Sequence, residues 1–94
     1  MYKTKHDRVA EGLANKFHTK YKSDKGIDLV LPRRVIEVEV KKNGIQQGIS
    51  QVVRSTKARY LAVTPELVKT AIEMTEGKGI GIMSQSGRVV KAAR

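Results

Sequence analysis

The sequence has no cysteine and no tryptophan, only two prolines, and one phenylalanine and three tyrosines among its 94 residues. Without cysteine neither a disulfide framework nor a thiolate zinc site can form, so any metal must be held by oxygen ligands or by His6 or His18. With so few aromatics the core is expected to be aliphatic. The 39% hydrophobic content is enough for a folded chain rather than a disordered tail. No apolar run approaches the roughly 20 residues that span a bilayer. The basic residues are scattered rather than gathered on one amphipathic helix, so a membrane is not an expected partner. The segment Met1-Tyr2-Lys3-Thr4-Lys5-His6 lacks the apolar stretch of a secretory signal, and a cytoplasmic location is expected.

Acidic residues are scarce as well. Nineteen Lys and Arg stand against nine Asp and Glu, and 19 − 9 gives a formal charge of +10. An excess of that size attracts polyanions through Coulomb forces and counterion release, and nucleic acid is the first candidate. The length suits one small domain over residues 1–94.

Hydrophobic periodicity predicts the elements. Val9, Ala10, Leu13 and Phe17 share one face of a helix from about Asp7 to Phe17, followed by a polar loop from His18 to Lys25. The run from Gly26 to Lys41 is aliphatic and β-branched on both sides of Pro32, which predicts a hairpin. With the turn at Arg33-Arg34, Ile27, Leu29 and Leu31 fall opposite Val40, Val38 and Ile36, giving one apolar face. On the reverse face Asp28 falls opposite Glu39, Val30 opposite Glu37 and Gly26 opposite Lys41. A second helix is expected over 45–57, a strand over 59–63, and a third helix capped by Thr64 with Pro65 at its first position. Strands near 79–83 and 88–91 complete the order α-β-β-α-β-α-β-β. This is an α/β domain with a central mixed sheet flanked by helices.

In that register two carboxylates and a lysine share one face. Opposed residues have Cβ atoms about 4.5–5.5 Å apart, so Asp28 and Glu39 would repel unless they shared a cation. Mg²⁺ or Mn²⁺, hard ions that favour oxygen ligands, would relieve the repulsion. Such an ion suits phosphodiester hydrolysis, with Lys41 placed to orient water and offset phosphate charge.

An Asp opening one strand, then Glu-x-Lys on the next and a following helix, resembles the core of the PD-(D/E)XK nucleases. The residues that carry the likeness are Gly26-Ile27-Asp28 and Glu39-Val40-Lys41. Ile27 stands where the family name has Pro. Glu11 matches a Glu often found in the preceding helix, and Gln51 a Gln frequent in the following one. In layout the chain is most similar to archaeal-type Holliday junction resolvases. The resemblance implies a restriction-endonuclease-like fold and a Mg²⁺-dependent DNA endonuclease acting on branched DNA, in a homodimer suited to cutting two strands. It also implies Asp28, Glu39 and the Val40 carbonyl as metal ligands, with Lys41, Glu11 and Gln51 supporting the site. Glu37, on the same face, is a further candidate ligand.

Lys16, Lys20, Lys22 and Lys25 lead into Asp28 and are candidate phosphate contacts, as are Arg33, Arg34 and Arg54. His6 and His18 have no partner at metal-ligand spacing and are expected on the surface or in loops. The glycine-rich run from Gly77 to Gly81 lacks the Lys-Ser/Thr ending of a phosphate-binding loop and reads as a turn. The rival readings are a non-catalytic basic DNA-binding module that keeps the fold, and an interaction subunit whose charged sheet face docks a protein.

Overall fold

A computed structural model describes residues 4–21 and 26–94. Helix α1 (Lys5–Lys16) leads, followed by strands β1 (Leu29–Val30) and β2 (Arg34–Glu39). A 3₁₀ turn over Lys42–Gly44 feeds helix α2 (Ile45–Val52), and strand β3 (Ala58–Val63) follows. A second 3₁₀ turn, Pro65–Leu67, feeds helix α3 (Val68–Met74), and β4 (Ile80–Ser84) and β5 (Val89–Lys91) close the chain. The five strands form one sheet in the order β1-β2-β3-β4-β5. The central pairs β2–β3 and β3–β4 are parallel, and the outer pairs are antiparallel.

The central strands are buried on both faces, as parallel strands joined by crossover helices must be. Along β2 the side chains alternate. Ile36 and Val38 point toward α1 and join Ala10, Leu13, Ala14, Leu29, Ala62 and Met83 in one aliphatic core. Val35 points the other way, into a core with Ile45, Ile49 and Val52 of α2, Leu61 and Val63 of β3, and Leu67 and Ala71. Glu37 and Glu39 share the side of Val35, so two carboxylates sit where the strand's pattern elsewhere calls for aliphatic residues. Among the described residues no helix is long and apolar enough to cross a membrane.

The hairpin differs from its sequence-based register. Leu29 pairs with Ile36 and Val30 with Val35, and the Leu31 amide donates to the Arg34 carbonyl at 2.8 Å. The turn is therefore Pro32-Arg33, one residue earlier than expected. The pairing moves by two residues, which preserves which face each β2 side chain takes but changes its partner. Asp28, one residue before β1, now lies opposite Glu37. Glu39 becomes its diagonal neighbour, at a backbone spacing of about 7–8 Å. Ile27 leaves the α1 side and packs against the α2 core.

Other boundaries moved less. The first turn of α1 is capped by Thr4, whose hydroxyl accepts the Asp7 amide at 3.1 Å. Helix α2 stops at Val52 rather than at 57. The Arg59 guanidinium reaches back to the Val53 carbonyl at 3.1 Å and the Ser55 carbonyl at 2.8 Å, so a strand residue satisfies acceptors just beyond the helix end. Thr64 does not cap α3. Its hydroxyl donates to Glu66 at 2.8 Å, and a 3₁₀ turn intervenes.

Candidate active site

Two of the candidate acids, Asp28 and Glu37, are buried, at 7% and 8% exposure. They are joined through the backbone rather than facing each other idly. The Asp28 amide donates to Glu37 Oε1 at 2.9 Å, and the Val38 amide donates to Asp28 Oδ2 at 2.9 Å. Strand pairing ends at Leu29, and these two side-chain acceptors take over the amides that the ladder would otherwise pair. These two bonds hold both carboxyl groups against the backbone.

Glu39 is half-buried at the C-terminal end of β2, against the start of α2. Its carboxyl oxygens lie where a β-carbon on Gly44 or Gly48 would stand. A cavity of about 500 Å³ opens beside it, lined by Thr4, Lys5, His6, Glu39, Val40, Lys41, Asn43 and Gly44. Lys41 is exposed at that cavity in extended backbone, φ −133° and ψ 143°.

Burial and the neighbouring Asp28 charge drive the acids toward their protonated forms. Glu37 is pushed up to about 8 and Glu39 to about 7, each by burial first and Asp28 second. The arrangement thus crowds three carboxyl groups that do not all ionise together near neutral pH.

One partial counter-charge comes from a residue expected on the surface. His6, in the first turn of α1, places Nε2 3.1 Å from Asp28 Oδ2 and Nδ1 3.2 Å from the Tyr21 hydroxyl. The Asp28 hydrogen bond raises the imidazole to about 9, against the opposing effect of burial. A protonated ring donates from both nitrogens, and Tyr21 passes its own hydroxyl proton toward Asp7 Oδ1 at 2.8 Å. Burial, then the Asp7 bond, hold the Tyr21 phenol above its ordinary range, and the same bond draws Asp7 down. No sequence signal marked His6, because it lies 22 residues from Asp28 and meets it only through the packing of α1 on the sheet.

The other candidate supports lie elsewhere. Glu11 is half-buried on α1 and lines a separate cavity with Ala14, Asn15, Thr19, Lys20 and Tyr21. Gln51 lines a third cavity with Gly26, Ile27, Val30 and Val35, and accepts from Arg54 at 3.5 Å. The residue that α2 presents to Glu39 is Gly48, one turn before Gln51.

The basic candidates also divide. Arg33 and Arg34 stand at the N-terminal end of β2, about 17 Å from Glu39 at a strand rise of about 3.4 Å per residue. Arg34 is half-buried, stacked 4.5 Å from the Phe17 ring and 5.6 Å from Tyr60. Lys16 donates to the Ser86 carbonyl at 2.8 Å. Lys20 and Arg54 are exposed, and Lys22 and Lys25 lie outside the described residues. The cations at the Glu39 cavity itself are Lys5 and Lys41, together with His6.

For a metal, the donor set is carboxyl oxygen, the ligand type that Mg²⁺ or Mn²⁺ takes once the acids ionise. Among the described residues no three His, Asp or Glu converge as a closed cage. Comparison with family models, curated proteins and solved structures gives no significant match.

Proposed function

We propose that this chain is a metal-dependent DNA endonuclease of the PD-(D/E)XK type, with a restriction-endonuclease-like core. The observation that carries the reading is Asp28 bonded to Glu37 on the strand that ends in Glu39, with Glu39 and Lys41 lining one cavity. Asp28 and Glu39 would hold the ion, and Val40, which lines the same cavity, would add its carbonyl. A bound Mg²⁺ or Mn²⁺ supplies Lewis-acid polarisation of the phosphate and acidification of water. Glu37 fixes the Asp28 backbone and so sets where that carboxylate points. The Lys41 ammonium orients the attacking water and offsets charge on the phosphate. The +10 formal charge favours DNA as the partner, with branched DNA the preferred form and a two-fold dimer the assembly that cuts both strands.

One observation favours a second reading. Asp28 Oδ2 is already engaged by the Val38 amide and His6, as it would be in a structural strand cap. A basic DNA-binding module that keeps the fold without chemistry would have this arrangement. The experiment is cleavage of labelled linear, single-stranded and four-way-junction DNA in Mg²⁺, Mn²⁺ or EDTA, with the wild type and Asp28→Ala. Metal-dependent cutting lost in the variant supports the nuclease. Salt-dependent binding without cutting, equal in both proteins, replaces it with the binding module.

A further inference from the structure

The backbone of α2 approaches Glu39 more closely than any residue with a side chain permits. A β-carbon built on Gly48 would meet Glu39 Oε2 at 2.7 Å and Glu39 Cγ at 3.0 Å. One built on Gly44, four residues earlier, would collide with Glu39 Oε1. Among the described residues nothing but Glu39, apart from Gly44's own chain neighbours, comes within 4 Å of it. Neither glycine has the positive φ that would require glycine for its backbone. Gly44 has φ −88° and ψ −14°, and Gly48 lies inside the helix. Helix propensity disfavours glycine relative to alanine at Gly48, inside the helix, whereas Gly44 is an ordinary choice at the N-cap. What the two share is the space they leave for a single carboxyl group, that of Glu39.

We infer that Gly44 and Gly48 are positioning residues, a two-point seat at the N-cap and in the body of α2 that holds the Glu39 carboxylate in place for metal binding. This inference rests on the proposed role of Glu39 as a ligand. Because Glu39 is the mobile partner in each contact, an added methyl displaces the carboxylate and leaves the helix standing. The chemistry loses its ligand while the fold keeps its stability, a trade expected where a site is bought at the expense of local propensity.

The test measures Mn²⁺ affinity by calorimetry and thermal melting for wild type, Gly44→Ala, Gly48→Ala, and Gly48→Ala combined with Glu39→Asp. Gly48→Ala is expected to lower affinity about 10–100-fold, the scale for groups that orient a metal ligand, without lowering Tm. Glu39→Asp, one methylene shorter, should recover affinity in the Gly48→Ala background although it weakens the wild type. Unchanged affinity in both alanine variants overturns the seat. If Gly48→Ala fails to fold, Gly44→Ala decides, since its added methyl meets only Oε1 and Cδ of Glu39. If the wild type binds no Mn²⁺, the metal reading falls and crystal structures decide the seat separately. A Glu39 carboxylate shifted in Gly48→Ala upholds it, and an unmoved one overturns it.

Discussion

His6 Nε2 lies 3.1 Å from Asp28 Oδ2, so a cationic ring from the first turn of α1 sits on the carboxylate at the centre of the acidic cluster. A divalent ion bound at Asp28, as proposed, would compete with the imidazolium for one oxygen. His6→Ala is expected to raise Mn²⁺ affinity a few-fold at pH 7, the scale of about 1 kcal/mol for a partly exposed ion pair. The gain should shrink at pH 10, where His6 has lost its proton. Calorimetry at both pH values checks this. A lower affinity in the variant would instead make His6 a ligand.

Stability in EDTA should fall as pH rises from about 5 to 9. Glu37 and Glu39 titrate at about 8 and about 7 in the folded protein against an ordinary 4.5, and His6 at about 9 against 6.5. In each case the folded state holds a proton that the unfolded state releases at lower pH. Their contribution is full at low pH and is lost as pH passes the folded values. Asp7 and Glu66, both drawn down, act oppositely and only in acid. Denaturant titrations across this window check the slope, and saturating Mn²⁺ should flatten it by holding the acids ionised.

Glu37 separates structural from chemical need. Glu37→Gln keeps an acceptor for the Asp28 amide and removes a group whose ionisation is disfavoured by burial, so metal-free stability should hold near pH 7 and rise at higher pH. Glu37→Ala leaves that buried amide unpaired and should cost about 1–3 kcal/mol. Urea unfolding of the two variants side by side distinguishes them.

Arg33 and Arg34 should part company despite being neighbours. Arg34 bridges the Phe17 and Tyr60 rings, and Arg34→Ala is expected to cost about 1–2 kcal/mol of stability through lost cation–π and packing contacts. Arg33 is exposed at the turn, so Arg33→Ala should leave stability alone and weaken DNA binding with a shallower salt dependence. Melting curves and binding measured across a salt series resolve the two roles.

Much of the hairpin was legible because alternation is a strong signal. Ile36 and Val38 face one side, and Glu37 and Glu39 the other, as the pattern of β2 requires. The pairing was misread by two residues, a slip to which alternation is blind. Only the turn discriminates, and Pro32 at its first central position, with φ already suited to it, was the clue. The cost of that slip fell on the site, since it replaces Glu39 with Glu37 as the partner of Asp28. Glu11 and Gln51 were assigned by analogy of position, but a helix turn of a few residues decides which side chain reaches a strand end. His6 was invisible because nothing local links it to Asp28. Gly48 did leave a trace, a glycine inside the helix after Glu-x-Lys, where propensity has no reason for it.

Helix α1 is fastened to the rest of the molecule at both ends by different chemistry. Its first turn is tied through His6 to Asp28, and its far end is tied through Arg34 against Phe17 and through Lys16 to Ser86. A rod held so cannot slide along the sheet without breaking a polar bond at one end or a stack at the other. Displacement of His6 by anything that binds Asp28 therefore releases only the leading turn, while the trailing turns stay anchored. Faster amide exchange confined to the opening residues of α1 would be the audible signature of an occupied site.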